Sequence, residues 1–242
     1  MTNEIPVTNH SDSRYSRLAA IDGFGHKGVK RLRNAGVLII GCGALGSLSS
    51  MYLAASGIGK ICICDFDTID LSNLQRQLFF DETSLGMPKA EILKNRMNEL
   101  NSTCDVIRID KLVTRKEASR IFMDYDFIID GSDNPFTKMM TASTCATLGK
   151  PYCTGGVRDM SGQVMSWTPG HTGYDEIFAQ PEQTGCVLPC STAGVLGPAA
   201  GIVASTQAAE AIKHISGCGD MLLDKLLIFD LKTNQWNILP VG

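Results

Sequence analysis

Short unbroken apolar runs alternate with longer stretches of spaced apolar positions over the first two thirds of the chain. That alternation predicts a parallel sheet covered by helices. Val37-Leu38-Ile39-Ile40 is continuously apolar and ends at glycines, as a strand buried on both faces does. Gly46–Ser56 carries small and apolar residues at helical density until Gly57 and Gly59 stop it, and Lys60–Cys64 reads as the next strand, ending in Asp65. An amphipathic helix follows over Pro88–Leu100, with Pro88 at or just before its first turn. The pattern then gives a strand at Val106–Ile109, a helix over Thr114–Phe122 with Thr114 as N-cap, a strand at Phe127–Asp130, a helix at Pro135–Leu148 and a short strand at Pro151–Thr154. Ahead of these, residues 1–13 are polar and read as a loose tail, Arg14–Ile21 has helical character, and Lys27–Asn34 reads as a short helix.

The texture changes at Gly156. Gln163–Trp167 alternates, which predicts an antiparallel strand, and residues 168–194 are rich in Pro, Gly, Thr and Gln, the composition of a long functional loop. A helix is expected from about Gly197 to Ile215, then a hairpin of Lys225–Asp230 and Gln235–Leu239 turning at Thr233-Asn234. The expected fold class is α/β: a Rossmann-like, mostly parallel sheet flanked by helices, with a C-terminal antiparallel extension.

Composition narrows the picture. With 242 residues and 44% apolar residues the chain can bury a full core without cross-links. A formal net charge of -3 gives no basic excess, so no broad nucleic-acid partner is expected. Nine unevenly spaced cysteines and a first segment, MTNEIPVTNH, without the charged and apolar regions of a leader point to the reducing cytoplasm. The apolar stretch Ala199–Ile215 is interrupted by Gln207, Glu210 and Lys213, so it reads as a buried helix and not a membrane span.

The chemistry starts at Gly41-Cys42-Gly43-Ala44-Leu45-Gly46, a GxGxxG match between a strand and a helix. Glycines there allow a tight turn and let phosphate approach backbone amides at a helix N-terminus. Asp65 ends the second strand at the spacing of a ribose-binding acid. These features support nucleotide binding only, and a dinucleotide oxidoreductase fits them equally. The next segments shift the balance: Asp65-Phe66-Asp67, then Asn73-Leu74-Gln75-Arg76-Gln77, then Lys89 at a helix start, then Asp133 in Gly131-Ser132-Asp133-Asn134 after the fourth strand. Hydride transfer has no need of two cations and another carboxylate beside the phosphates. A reaction at the α-phosphate does: Arg76 and Lys89 can offset charge as pyrophosphate leaves, and Asp133 can hold Mg²⁺, which takes few carboxylates plus phosphate oxygens. Taken singly, Lys89 would be an exposed helix lysine and Arg76 a surface residue; their positions on successive strand ends carry the argument.

In these segments the chain resembles the MoeB/ThiF/HesA group of E1-like activating enzymes. Arg14-Tyr15-Ser16-Arg17, the glycine loop, Asp65-Phe66-Asp67, Asn73-Leu74-Gln75-Arg76-Gln77, Gly86-Met87-Pro88-Lys89-Ala90, Ser132-Asp133-Asn134 and Ala193-Gly194-Val195-Leu196-Gly197-Pro198 occur in family order over about residues 14–240. The resemblance implies an enzyme that binds MgATP and adenylates the C-terminal glycine of a ubiquitin-like sulfur-carrier protein with a Gly-Gly tail, a step toward its thiocarboxylate, in which a separate sulfur-donor enzyme can take part. It implies that Asp65 contacts the ribose, that Asn73, Arg76 and Lys89 engage the phosphates, that Asp133 places Mg²⁺ and the α-phosphate, and that Gly41, Gly43, Ala44, Gly46 and Asp67 belong to the nucleotide site. It also implies a homodimer in which Arg14 reaches the partner subunit's ATP site. Ala44 stands where a typical member has a further glycine. The expected organisation is a tail at 1–13, an ATP-binding part at 14–155 and a C-terminal part at 156–242 carrying the substrate loop, helix and hairpin, within one globular domain.

Many members of that group carry two CxxC pairs that hold a structural zinc. Gly173 and Glu176 stand where the first pair would be, and the chain ends at Pro240-Val241-Gly242 where the second would follow, so no zinc is expected. Cys190 matches the family position discussed as a sulfur or acyl acceptor, with Cys186 as the second candidate and a spare thiol as the alternative. His171 and His214 read as core or surface imidazoles, since a carboxylate nucleophile is ionised at neutral pH without a base. Two other readings stay open: a tRNA-modifying adenylating relative, against which the near-neutral charge counts, and a non-catalytic binding subunit, against which the retained Asn73, Arg76, Lys89 and Asp133 count.

Overall fold

The computed structural model describes residues 14–178 and 194–242. Eight strands form one sheet in the order β3-β2-β1-β4-β5-β6-β7-β8. These are β1 (Gly36–Ile40), β2 (Lys60–Cys64), β3 (Asp105–Ile109), β4 (Phe127–Asp130), β5 (Tyr152–Arg158), β6 (Ser161–Trp167), β7 (Lys225–Asp230) and β8 (Gln235–Pro240). The first five run parallel and the last four pair antiparallel. The order reverses between β1 and β4, the point at which open α/β sheets bind ligands beyond the carboxyl ends of their strands.

The helices are α1 (Ser16–Ala19), α2 (Gly25–Asn34), α3 (Ala44–Ser56), α4 (Lys89–Leu100), α5 (Arg115–Phe122), α6 (Pro135–Leu148), α7 (Tyr174–Ile177) and α8 (Gly197–Ser216). Several boundaries have a local cause. Thr114 caps α5 by a reciprocal pair with Glu117: its N–H and hydroxyl both donate to the Glu117 carboxylate, at 3.1 and 2.7 Å. Asn134 accepts from the Phe136 N–H at 2.8 Å, and Pro135 occupies the first turn of α6, where no N–H is needed. Gly57, Gly149 and Gly217 end α3, α6 and α8 in the left-handed conformation.

Both faces of the sheet are covered. Val37, Ile39, Ile61, Ile63, Phe127 and Ile129 point to one core, shared with α2, α3, α4 and α8. Leu38, Ile40, Cys62, Cys64 and Ile128 point to the other, shared with α5 and α6. This is why β1 and β4 are buried along their whole length and why their sequences are unbroken apolar runs.

The predicted strands and helices all form, and two stretches differ. β5 does not stop at Thr154; it runs through Gly155 and Gly156 to Arg158 and pairs with all of β6. The glycines that read as a break let α8 lie against the sheet: a Cβ on Gly155 would come within 2.4 Å of Val203. The stretch after β6 holds a short helix, α7, pinned where the Tyr152 hydroxyl accepts from the Tyr174 N–H at 2.8 Å. The part of the predicted loop over 179–193 lies outside the described residues. No helix among the described residues is long and apolar enough to cross a membrane.

Leu93 on α4 is fully buried between helix and sheet. Leu93→Ala should cost about 2–5 kcal/mol in urea unfolding, whereas Asn95→Ala on the exposed face of the same helix should stay within about 0.5 kcal/mol.

Candidate nucleotide site

The loops after β1, β2 and β4 meet at the switch point, and backbone contacts hold them together. Gly41 donates to the Cys64 carbonyl at 2.8 Å and Gly131 to the Ile40 carbonyl at 2.9 Å, which continues the ladder one residue past each strand. The helix α3 begins close to this edge because Gly46 has no side chain: a Cβ there would lie 1.8 Å from the Gly41 carbonyl oxygen. The amide of Gly46 also backs onto Gly131, so the glycine loop and the turn carrying Asp133 are in direct contact.

Asp65 fastens the glycine loop to β2. One carboxylate oxygen accepts from the Cys42 N–H at 2.5 Å and the other from the Asp67 N–H at 2.8 Å. Burial raises its pKa, and the two N–H bonds and the nearby Lys89 oppose the rise only in part. Its half-exposed position leaves lone pairs for a ligand. The Lys89 side chain is 7% exposed and its ammonium lies 3.1 Å from an Asp67 carboxylate oxygen, while the Lys89 backbone N–H donates to the Asp67 carbonyl at 3.0 Å. That double link ties the start of α4 to the end of β2. Asp70 and Asn73 cap a single 3₁₀ turn, Leu71–Asn73, with the Asp70 N–H donating to Asn73 Oδ1 at 3.3 Å. From the residues that follow, Arg76 Nη1 donates to the Ser72 carbonyl at 2.9 Å, and the start of α8 at Gly197 packs against the Gln75–Arg76 backbone. Asp133 is exposed, and among the described residues its carboxylate has no hydrogen-bond or ion-pair partner.

The fold therefore assembles Gly41, Gly43, Ala44, Gly46, Asp65, Asp67, Asn73, Lys89 and Asp133 along one edge of the sheet, with Arg76 on the segment that closes it. Arg14 is elsewhere. Its Nη1 donates to the Leu100 carbonyl at 3.0 Å, at the far end of α4 from Lys89, which is about 18 Å of helix away. Cys186 and Cys190 lie outside the described residues. His171 pairs with Asp224 at 2.6 Å beside β7, and His214 packs on Phe127 at the opposite end of β4, where burial lowers its pKa.

Two residues of the edge escaped the reading of the sequence. Gln77 is buried, its amide lies against Gly43, and its Oε1 is an unpartnered acceptor. It stands within the quoted Asn73–Gln77 segment, but only burial shows that it faces the glycine loop. Asp130 is fully buried at the end of β4 beneath the Asp133 turn, and reads in sequence as the last residue of an apolar strand.

The model of the ThiF family matches residues 15–242. The chain belongs to the ThiF family. Adenylyltransferase and sulfurtransferase MOCS3 of Drosophila persimilis is 38% identical over 230 residues, which is 95% of this chain and 51% of that protein. The Drosophila willistoni protein of the same name is 37% identical over 99% of this chain and 53% of its own length. The chain thus spans about half the length of the curated relatives it matches. Among solved structures, E. coli MccB with ATP superposes with a TM-score of 0.83 at 26% identity, covering 97% of this chain and 72% of that one. The microcin C7 biosynthetic enzyme MccB in complex with N-formylated MccA gives 0.83 at 27% identity, covering 95% and 72%.

Because burial raises the Asp65 pKa, its carboxylate should begin to take up a proton above the ordinary value of about 4 as the pH falls. ATP affinity, followed by calorimetry on stepwise acidification, should drop over that range. Asp65→Ala should bind ATP at least about tenfold more weakly at neutral pH and lose this titration.

Proposed function

We propose that this ThiF-family chain uses ATP to adenylate the C-terminal glycine carboxylate of a ubiquitin-like sulfur-carrier protein, releasing pyrophosphate, as a step toward the carrier's thiocarboxylate. One observation carries the reading: a glycine loop, the Lys89 ammonium and an exposed carboxylate lie along one edge of the sheet at its switch point, with Arg76 on the segment that closes it. The named activity of the MOCS3 relatives and the ATP held by MccB support it.

The chemistry follows from those groups. A carboxylate oxygen of the carrier attacks the α-phosphorus, a new C–O–P link forms, and the bond to the β-phosphate breaks with its electron pair leaving on pyrophosphate. The attacking carboxylate is already ionised at neutral pH, so no base is required. Lys89 and Arg76 stabilise the charge that gathers on the phosphates. Lys89 can do so at little cost in reorganisation, because Asp67 already holds its ammonium in place.

The donor set also fits Mg²⁺. Asp133 offers one free carboxylate, and among the described residues no group of three or more His, Cys, Asp or Glu could enclose a metal. Magnesium takes one or two protein carboxylates and fills its shell with phosphate oxygens and water. When bound it would supply charge neutralisation at the phosphates. Arg14 is exposed and remote from its own site, which supports its serving that of a second copy, so a homodimer with shared sites belongs to the proposal. A cytoplasmic location and a Gly-Gly carrier belong to it as well. A second reading replaces the carrier by a peptide whose C-terminus is activated; the likeness to MccB in complex with N-formylated MccA favours it.

Pyrophosphate–ATP exchange tests both. With MgATP, labelled pyrophosphate and a panel of Gly-Gly carriers and peptides, exchange should appear with a carrier and be lost in Asp133→Ala and Arg76→Ala, by about 10²-fold or more. Cys190→Ala should leave exchange intact. Exchange with peptides alone would favour the second reading, and none with any acceptor would sink both.

A further inference from the structure

Beneath the exposed Asp133 lies a buried charge pair. Asp130, the last residue of β4, is wholly buried, and Lys138, in the first turn of α6, is 8% exposed. The Lys138 ammonium is 3.6 Å from Asp130 Oδ2, donates to the Gly155 carbonyl at 2.7 Å and lies 3.4 Å from the Thr154 hydroxyl. That hydroxyl is itself 3.3 Å from Asp130 Oδ2. On the other side Asp130 Oδ1 accepts from both the N–H and the hydroxyl of Ser132, at 2.9 and 2.6 Å. From the opposite face of the sheet, Gln207 on α8 donates to the Asp130 carbonyl at 2.7 Å.

Burying two charges in a place that apolar side chains could fill adds little stability or none. This pair occurs one turn below the residue assigned to the metal, and its hydrogen bonds run to that residue's neighbour. Ser132 is held by Asp130, and Asn134 is held by its cap on α6, so Asp133 stands between two fixed residues. Lys138 fixes Asp130 in turn, and through Gly155 it ties the turn to β5. Lys138 also lines a small cavity with Gln163, Tyr174 and Phe178, under the helix α7 that leads into residues 179–193.

We propose that Asp130 and Lys138 form a positioning unit for adenylation: the pair holds the Ser132–Asn134 turn so that the Asp133 carboxylate is presented at the phosphate edge in one orientation. Lys138 touches neither nucleotide nor metal in this role. The inference rests on the proposed function for what Asp133 does there, and on hydrogen bonds alone for what holds the turn.

Two measurements on the full chain test it. The first needs no ligand: exchange of the Ser132 backbone amide, which donates to Asp130 Oδ1. Lys138→Met should speed it about tenfold, since a charge-assisted bond network is lost, while amides in β1 and β2 stay protected. The second is ATP affinity with and without Mg²⁺. Lys138→Met should lose about tenfold of the tightening that Mg²⁺ gives, with metal-free ATP affinity changed less than about threefold, and Lys138→Arg should restore most of it. If Lys138→Met leaves Asp130 too costly to bury and fails to fold, the charge-neutral Asp130→Asn/Lys138→Met pair carries the comparison, with the same direction expected. Wild-type exchange at the turn together with wild-type Mg²⁺ tightening in either folded variant overturns the proposal. A role in stability alone would loosen all amides and weaken both affinities together, which also overturns it. A wild-type chain that binds no ATP would instead defeat the proposed function, and the amide exchange would then decide by itself whether the pair holds the turn.

Discussion

The bare Cα of Gly46, pressed against the carbonyl of Gly41, sets the geometry of the whole ligand edge. Because no Cβ intervenes, α3 starts within the last turn of backbone from β1, and its free N–H groups face the space beyond the sheet. Asp65 then bonds to the Cys42 N–H, which fixes the loop to β2, and Gly131 rests on Gly46, which fixes it to β4. Three separate loops so become one rigid rim. A site that stabilises charge at the moment of reaction needs that rigidity, since groups that must first reorient contribute less.

Charge at this rim is arranged in layers. The exposed Asp133 and Asp67 lie outermost, with the half-buried Asp65 and the Lys89 ammonium that Asp67 holds beside them. Behind them stands a pair whose partners are both internal, Asp130 with Lys138. A buried ion pair is a poor source of stability compared with apolar packing, so its presence just under a binding edge is better understood through orientation than through energy. The same logic accounts for Gln77, a buried amide with an open acceptor, in a molecule that otherwise satisfies its interior polar groups with few exceptions.

The antiparallel end of the sheet has a different task. β5 belongs to both halves: it runs parallel to β4 and antiparallel to β6, and α8 crosses both. Gly155 makes that crossing close, and its carbonyl receives the Lys138 ammonium. β6 and β7 are thereby linked through β5 and Lys138 to the turn that carries Asp133.

Much of this was legible in the residues. The apolar runs of β1, β2 and β4 are unbroken because both of their faces are buried, and that requirement writes itself into sequence. The glycine loop, Asp65 and Asp133 were legible because each follows a strand end, and a parallel sheet brings all such ends to one edge; Lys89 opens a helix and reaches that edge through Asp67. What the tertiary structure alone decided concerns partners distant in sequence. Asp130 reads as the end of a strand and Lys138 as an ordinary lysine until folding buries both and sets Gly155 and Thr154 beside them. Gly155 falls outside the strand read from the sequence, because no local pattern reveals that α8 will pack on it. Local periodicity records which faces are buried; it does not record which polar atoms must satisfy one another once they are.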